Sequence, residues 1–222
     1  MKGPLFYSKI LLFGEYGIIE DSKGLSIPYN FFNGALKISE SSDEEAKKSN
    51  LILSQFSAHL KTLDIDLDLN SFDNHIKKGM YFDSSIPKGY GVGSSGALVA
   101  AVYEKYANNK ITVLENLTRE KLLVLKAIFS KMESFFHGKS SGLDPLNSYL
   151  SIPILIKSKD DINVTGIPSQ KSFGSGAVFL IDSGKTGSTA PMINIFMEKM
   201  KKEGFRNMLN SQFIKYTNIC VD

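Results

Sequence analysis

Residues 87–97 read Pro87-Lys88-Gly89-Tyr90-Gly91-Val92-Gly93-Ser94-Ser95-Gly96-Ala97. They stand between a short strand pattern at 80–83 and a run in which Leu98, Val99, Val102, Tyr103 and Tyr106 recur at helical spacing. Alternating glycines let a backbone take positive φ and approach a ligand closely. The first turn of the helix that follows offers unpaired N–H groups and the positive end of its dipole. The segment therefore predicts strand, anion-binding turn and helix in succession. The Ser94 and Ser95 hydroxyls are placed to cap that helix, reach a phosphate oxygen or coordinate Mg²⁺. A flexible turn with a serine N-cap fits the same residues.

Other glycine motifs compete for this stretch. Residues 91–96 formally match the dinucleotide pattern G-x-G-x-x-G, but the strand before them is short, polar at 83–85 and interrupted by a proline. A protein-kinase glycine loop would need His-Arg-Asp and Asp-Phe-Gly triplets, which the chain lacks. Gly184-Lys185-Thr186 would close a P-loop if a glycine stood at Phe179.

Around this centre the chain divides into short apolar runs. Those at 10–13, 17–19 and 35–38 predict strands joined by turns. A helix is expected over 44–60, its charged start at 41–48 facing solvent, followed by an alternating strand at 65–69. The strongest helical signal covers 119–137, where Leu122, Leu125, Phe129, Met132 and Phe136 form a stripe. A polar turn at 138–142, a short helix and a strand at 152–156 follow. Residues 157–175, dense in Ser, Lys, Asp, Gly and Pro, read as a linker to a second unit with a strand at 177–181 and a helix at 190–202. The expected division is 1–160 and 173–222, with the second unit incomplete.

At 222 residues and a net charge of +3 spread along the chain, no basic patch points to nucleic acid. The single cysteine, Cys220, excludes an internal disulfide framework and a thiolate metal cluster. No window approaches the roughly 18 apolar residues of a membrane span, and no signal peptide is evident, so the cytoplasm is the expected compartment.

Two carboxylates need explaining. Glu133 falls among the core-facing positions of the 119–137 helix, where a carboxylate is costly unless a cation, a metal or water meets it. Asp144, in Ser-Ser-Gly-Leu-Asp-Pro, reads as a turn or helix cap, or as a group beside a lysine that orients a hydroxyl and takes its proton. Lys9 is a candidate partner, or a solvated strand-end lysine. His137 suits a helix C-terminus.

Four segments together resemble the GHMP family of small-molecule kinases, and within it the mevalonate kinases. Lys9-Ile10-Leu11-Leu12-Phe13-Gly14-Glu15-Tyr16 resembles the opening segment, with Tyr16 where the family has histidine. Residues 87–97 resemble the phosphate loop, with Val92 for leucine and Gly96 for alanine. Glu133, then His137-Gly138, then Ser141-Gly142-Leu143-Asp144 resemble the segment with the same eleven-residue step from glutamate to aspartate. Residues 182–189 resemble the turn opening the C-terminal domain.

The resemblance implies an α+β fold in two parts, a ribosomal-protein-S5-like N-terminal domain and the start of a ferredoxin-like C-terminal domain. It implies ATP and Mg²⁺ as cofactors and a small-molecule alcohol as substrate, mevalonate first. A phosphomevalonate, homoserine or sugar kinase, or a non-catalytic nucleotide-binding protein of the same fold, are the alternatives. Gly89, Gly91, Gly93, Ser94, Ser95 and Gly96 would hold nucleotide, and Ser95 and Glu133 the metal. Asp144 with Lys9 would act on the hydroxyl, and Glu15, Tyr16 and Thr189 would face the substrate. Neither nucleic acid nor membrane is an expected partner, and a homodimer is compatible with the resemblance. The family's third glycine-rich motif has no counterpart before Asp222, so a copy shortened at its C-terminus is expected.

Overall fold

The computed structural model describes residues 4–38, 43–113, 116–166, 180–187 and 189–222, with only the backbone of Thr189 and Ala190. Five antiparallel strands form one sheet: β1 (Phe6–Phe13), β2 (Gly24–Ile38), β3 (Met80–Ser84), β4 (Ile154–Ser158) and β5 (Asp161–Val164). The long β2 joins them. One edge pairs with β1; the other pairs with β4 over Gly24 to Ser26 and with β3 over Gly34 to Ile38. Pro28, which has no N–H to give, falls in the gap between those two ladders.

The helices are α1 (Glu44–Leu60), α2 (Leu69–Lys77), α3 (Ser94–Tyr106), α4 (Arg119–His137), α5 (Leu143–Leu150), α6 (Thr189–Met200), α7 (Glu203–Met208) and α8 (Lys215–Val221), the last two joined by a π turn (Leu209–Ile214). No helix among the described residues is long and apolar enough to cross a membrane. Helix α3 lies at the centre. Ala97 to Tyr103 are buried without a break, because the sheet, α4 and α5 cover the helix on several sides. The single apolar face expected for it is therefore a helix buried nearly all round. Phe56, Phe72, Leu125, Phe129, Met132 and Leu146 close the main core.

Both long outer helices follow their sequence signals. The Asp43 side chain accepts from the Glu45 N–H at the start of α1, and Ala46, Leu53, Phe56 and Leu60 return to one face. Thr118 caps α4, which buries Leu122, Leu125, Phe129 and Met132.

Elsewhere the structure corrects the reading. Residues 17–19 form a 3₁₀ turn (Gly17–Glu20) rather than a strand, because Gly14 turns the chain out of the sheet at φ +103°. The expected strand at 65–69 is reduced to a bridge between Leu67 and Ala107; Asp68 accepts from the Ser71 N–H and starts α2 instead. The stretch read as linker contains β5, where Ile162 is fully buried and the flanking polar residues pair with β4. The strand expected at 177–181 lies mostly outside the described residues; Leu180 and Ile181 are exposed and outside any strand.

From Thr189 onward the described residues are mostly helical. Phe196, Met200 and Leu209 form a small cluster of their own, against which Tyr16, Phe205 and Ile214 pack. It joins the sheet through the Lys23 N–H, which donates to Asn218 Oδ1 at 2.8 Å, and through an ion pair between Lys23 and Asp222.

The turn from α4 to α5 depends on close backbone approach. Gly142 has φ +72°, and a Cβ there would lie 2.2 Å from the Lys126 carbonyl oxygen. Gly138, at φ +70°, has open space beside it. Left-handed strain alone costs about 1–3 kcal/mol, and overpacking a similar amount. Gly142→Ala is therefore expected to lower the unfolding free energy by ~2–4 kcal/mol in a urea titration, and Gly138→Ala by about 1 kcal/mol.

Candidate functional site

Gly89, Gly91 and Gly93 take φ values of +81°, +70° and +84°, so the loop before α3 has the left-handed turns that its alternating glycines predict. Gly93 is the N-cap of α3 and supplies no side-chain cap, which leaves the first N–H groups of the helix facing the loop. The loop is held on two sides. The Lys9 N–H donates to the Val92 carbonyl at 3.0 Å, and the Gly187 N–H donates to the Gly89 carbonyl at 2.9 Å, with Thr186 packed against Gly89. Residues 184–186, the near-miss P-loop, thus lie beside the glycine loop as a brace. An antiparallel sheet also removes the dinucleotide reading, which needs a parallel one.

Gly96 has a different task from its neighbours. A Cβ on it would stand 2.7 Å from the Asp144 carbonyl carbon and the Pro145 nitrogen, so its bare backbone lets the start of α5 rest on α3. That contact brings Asp144 to the loop.

Lys9 is the fourth residue of β1 rather than a strand-end lysine, and only 7% of it is exposed. Its ammonium lies 3.0 Å from Asp144 Oδ1, and its stem packs against Gly93. A buried ammonium without an anion would be strongly unfavourable. Asp144 makes no capping bond in the first turn of α5; its visible partner is Lys9.

Glu133, 3% exposed, has no ammonium within ion-pair distance among the described residues. The Ser95 hydroxyl donates to its Oε1 at 3.0 Å and the Ser140 hydroxyl to its Oε2. Burial, and then the charge of Asp144, raise its carboxyl from the ordinary 4.5 to about 7, against the lowering effect of the two hydroxyls and Lys9. The lysine salt bridge open to it in the sequence is thus made by Asp144 instead.

A buried carboxylate short of positive charge, beside a serine oxygen, suits a hard divalent cation. Ser95 Oγ and the Glu133 carboxylate could hold one, with phosphate and water oxygens completing the shell. Among the described residues no cluster of three or more His, Cys, Asp or Glu offers an all-protein site.

Two cavities flank this centre. One, of about 830 Å³, runs along the glycine loop past Asp43, Tyr81, Lys88, Ser94 and Ser95. The other, of about 770 Å³, is lined by Lys9, Glu15, Tyr16, Lys126, Glu133 and Asn194 among others. Gly91, His137 and Asp144 belong to both walls. Glu15 and Tyr16 thus sit on the second cavity, with the Tyr16 ring 5.1 Å from that of Phe196. Thr189 opens α6, and its side chain lies outside the described residues.

Sequence reasoning missed Ser140 and gave His137 only a helix-terminus role. His137 Nε2 lies 3.0 Å from Ser95 Oγ. The available signal was a polar stripe on α4, Lys126, Ser130, Glu133 and His137, at helical spacing beside the apolar one.

The raised Glu133 carboxyl sets a sign for the pH response. Folding favours its protonated form, so its contribution is full below about pH 4.5 and is lost as pH rises through about 7. In chelator-treated protein, the Tm of wild type is expected to fall relative to that of Glu133→Gln between pH 5 and pH 8. Parallel curves would show that Glu133 titrates normally.

Residues 52–151 match the family profile of the GHMP kinases N terminal domain. Among solved structures, mevalonate kinase of L. major in complex with R-mevalonate aligns with a TM-score of 0.56 at 18% identity, over 100% of this chain and 71% of that one. The mevalonate kinase of Methanococcus jannaschii aligns with a TM-score of 0.55 at 16% identity, over 100% of this chain and 72% of that one. No curated protein sequence matches the chain. At such identities the structural likeness speaks for the fold: the chain has a fold similar to that of the mevalonate kinases, and within it residues 52–151 carry the profile of the GHMP kinases N terminal domain.

Proposed function

We propose that this chain binds ATP on its glycine loop and transfers the γ-phosphoryl group to the hydroxyl of a small alcohol, with mevalonate as the first candidate and its 5-phosphate as product. The observation that carries this reading is the meeting of the two cavities at Asp144. The loop and the α3 N-terminus lie on one side, and a separate cavity of substrate size lies on the other.

In this reading residues 1–160 form the ATP-binding domain and 173–222 the beginning of a C-terminal domain, in a cytoplasmic enzyme. The N–H groups of the loop and of the first turn of α3 bind phosphate oxygens. Ser95 and Glu133 would hold Mg²⁺, which when bound spreads the charge of the phosphates.

Asp144 accepts a hydrogen bond from the acceptor hydroxyl and aligns its oxygen with the γ-phosphorus. As the new O–P bond forms, the bond to the ADP oxygen breaks and the hydroxyl proton passes toward Asp144. An aspartate is a weak base at its ordinary pKa, so alignment supplies much of the effect. Lys9 keeps Asp144 in place and adds positive charge where the transferred group is most negative.

Coupled ADP-release assays with mevalonate, phosphomevalonate, homoserine and galactose test the acceptor. Turnover with mevalonate is expected, and its absence removes that substrate. Asp144→Asn is expected to reduce kcat by about 10²–10⁴-fold, the usual scale for a positioned acid or base, while ATP binding stays within a few-fold of wild type. Turnover insensitive to Asp144→Asn would overturn its role.

A further inference from the structure

We propose that His137 is a positioning residue for the Ser95 oxygen: its Nε2 takes the Ser95 hydroxyl hydrogen and so frees an oxygen lone pair for a divalent cation held with Glu133. The inference rests on reading Ser95 and Glu133 as the ligands of that cation.

A serine hydroxyl carries one hydrogen and two acceptor lone pairs. Among the described residues Ser95 Oγ has two polar side-chain neighbours, Glu133 Oε1 and His137 Nε2, each at 3.0 Å. Without a cation the hydrogen goes to the carboxyl group, where it joins the Ser140 hydroxyl in offsetting the burial of Glu133. That hydrogen then lies between Oγ and Oε1, in the cleft where one ion would touch both oxygens. For an ion to bind there, the hydrogen must turn away and find another acceptor, because a coordinated hydroxyl is polarised and donates more strongly.

His137 Nε2 is the acceptor in place. Ser140 is already committed, giving its hydrogen to Glu133 Oε2 and accepting from the Gly142 N–H at 3.0 Å. An imidazole with its hydrogen on Nδ1 presents Nε2 as an acceptor, and because His137 is exposed, water can meet that Nδ1–H. The backbone beneath the ring is fixed. The His137 carbonyl accepts from the Lys139 N–H at 2.8 Å, and Gly138, at φ +70°, ends α4 by donating to the Ser134 carbonyl at 2.8 Å.

His137 also belongs to the walls of both cavities, so its bond to Ser95 lies where they meet. Partners of this kind orient the groups that touch a metal, and their loss commonly lowers metal affinity about 10- to 100-fold.

Calorimetric titration with a non-hydrolysable ATP analogue, once with Mg²⁺ and once with excess EDTA, tests this. Wild type is expected to bind the analogue more tightly with Mg²⁺. His137→Leu, which has no acceptor, should weaken the Mg²⁺ arm by about tenfold or more and leave the EDTA arm within about threefold. His137→Gln, whose amide oxygen can accept, should restore most of the gain. In a Ser95→Ala background His137→Leu should cost nothing further, since the two residues act as one unit. Should the leucine variant fail to fold, His137→Asn, too short to reach Ser95, carries the same comparison. An undiminished Mg²⁺ gain in the variant, equal losses in both arms, or a full further loss in the Ser95→Ala background overturns the proposal. Wild type that binds no analogue in either arm removes ATP from the loop and this role with it. A Mg²⁺ gain that depends on His137, together with no ADP release from any alcohol, would sink the phosphotransfer reading and leave this one standing.

Discussion

An ammonium taken out of water by folding must meet an anion, and much of this site is arranged around one such meeting. Lys9 reaches it from the middle of β1 and Asp144 from the first turn of α5, whose backbone can rest on α3 because Gly96 has no side chain. The same lysine gives its backbone N–H to Val92 and its stem to Gly93. One residue thus ties the sheet, the glycine loop and α5 into a fixed relation. Without the anion, burying Lys9 would leave an uncompensated charge in the core and disfavour this path for β1.

A second carboxylate lies close by without a cation of its own. Asp144 has taken the available ammonium, and its negative charge adds to the burial that already disfavours ionised Glu133. The two acids are therefore unlike: one paired with a lysine, the other held by hydroxyls and ready to accept positive charge. That inequality comes from placement rather than residue type. Glu133 is on the inward face of a long helix, whereas Asp144 sits at a helix start open to both cavities.

Legibility in the sequence followed the strength of local signals. Helices α1 and α4 could be read closely, since each joins a capping Asp or Thr to many apolar residues at one period. Strand β5 could not, because Ile162 is its one deeply buried residue among polar neighbours, and a strand with one inward anchor looks like linker. Helix α2 was hidden by the alternation of Ile65, Leu67 and Leu69, which Asp68 interrupts by capping a helix. The glycine loop was legible as an anion site from its spacing, and Glu133 as a misplaced carboxylate. Their convergence with Lys9 and Asp144 was not, since those contacts join residues far apart in the chain; it entered only through family resemblance. Ser140 and Lys126 carry no signal beyond a polar stripe, because a half-covered serine or lysine has the same local pattern as a solvated one.

The brace on the glycine loop has a thermodynamic consequence. A loop with three left-handed glycines would in isolation sample many shapes, and a ligand ordering it would bear a cost of about 1–2 kcal/mol per residue fixed. Here the Val92 and Gly89 carbonyls are already bonded to Lys9 and Gly187, so part of that entropy is lost when the chain folds. Folding stability, rather than ligand affinity, absorbs the ordering. One of the two anchors stands well beyond the sheet, at the approach to α6, so the stiffness of the loop responds to the state of the later part of the chain.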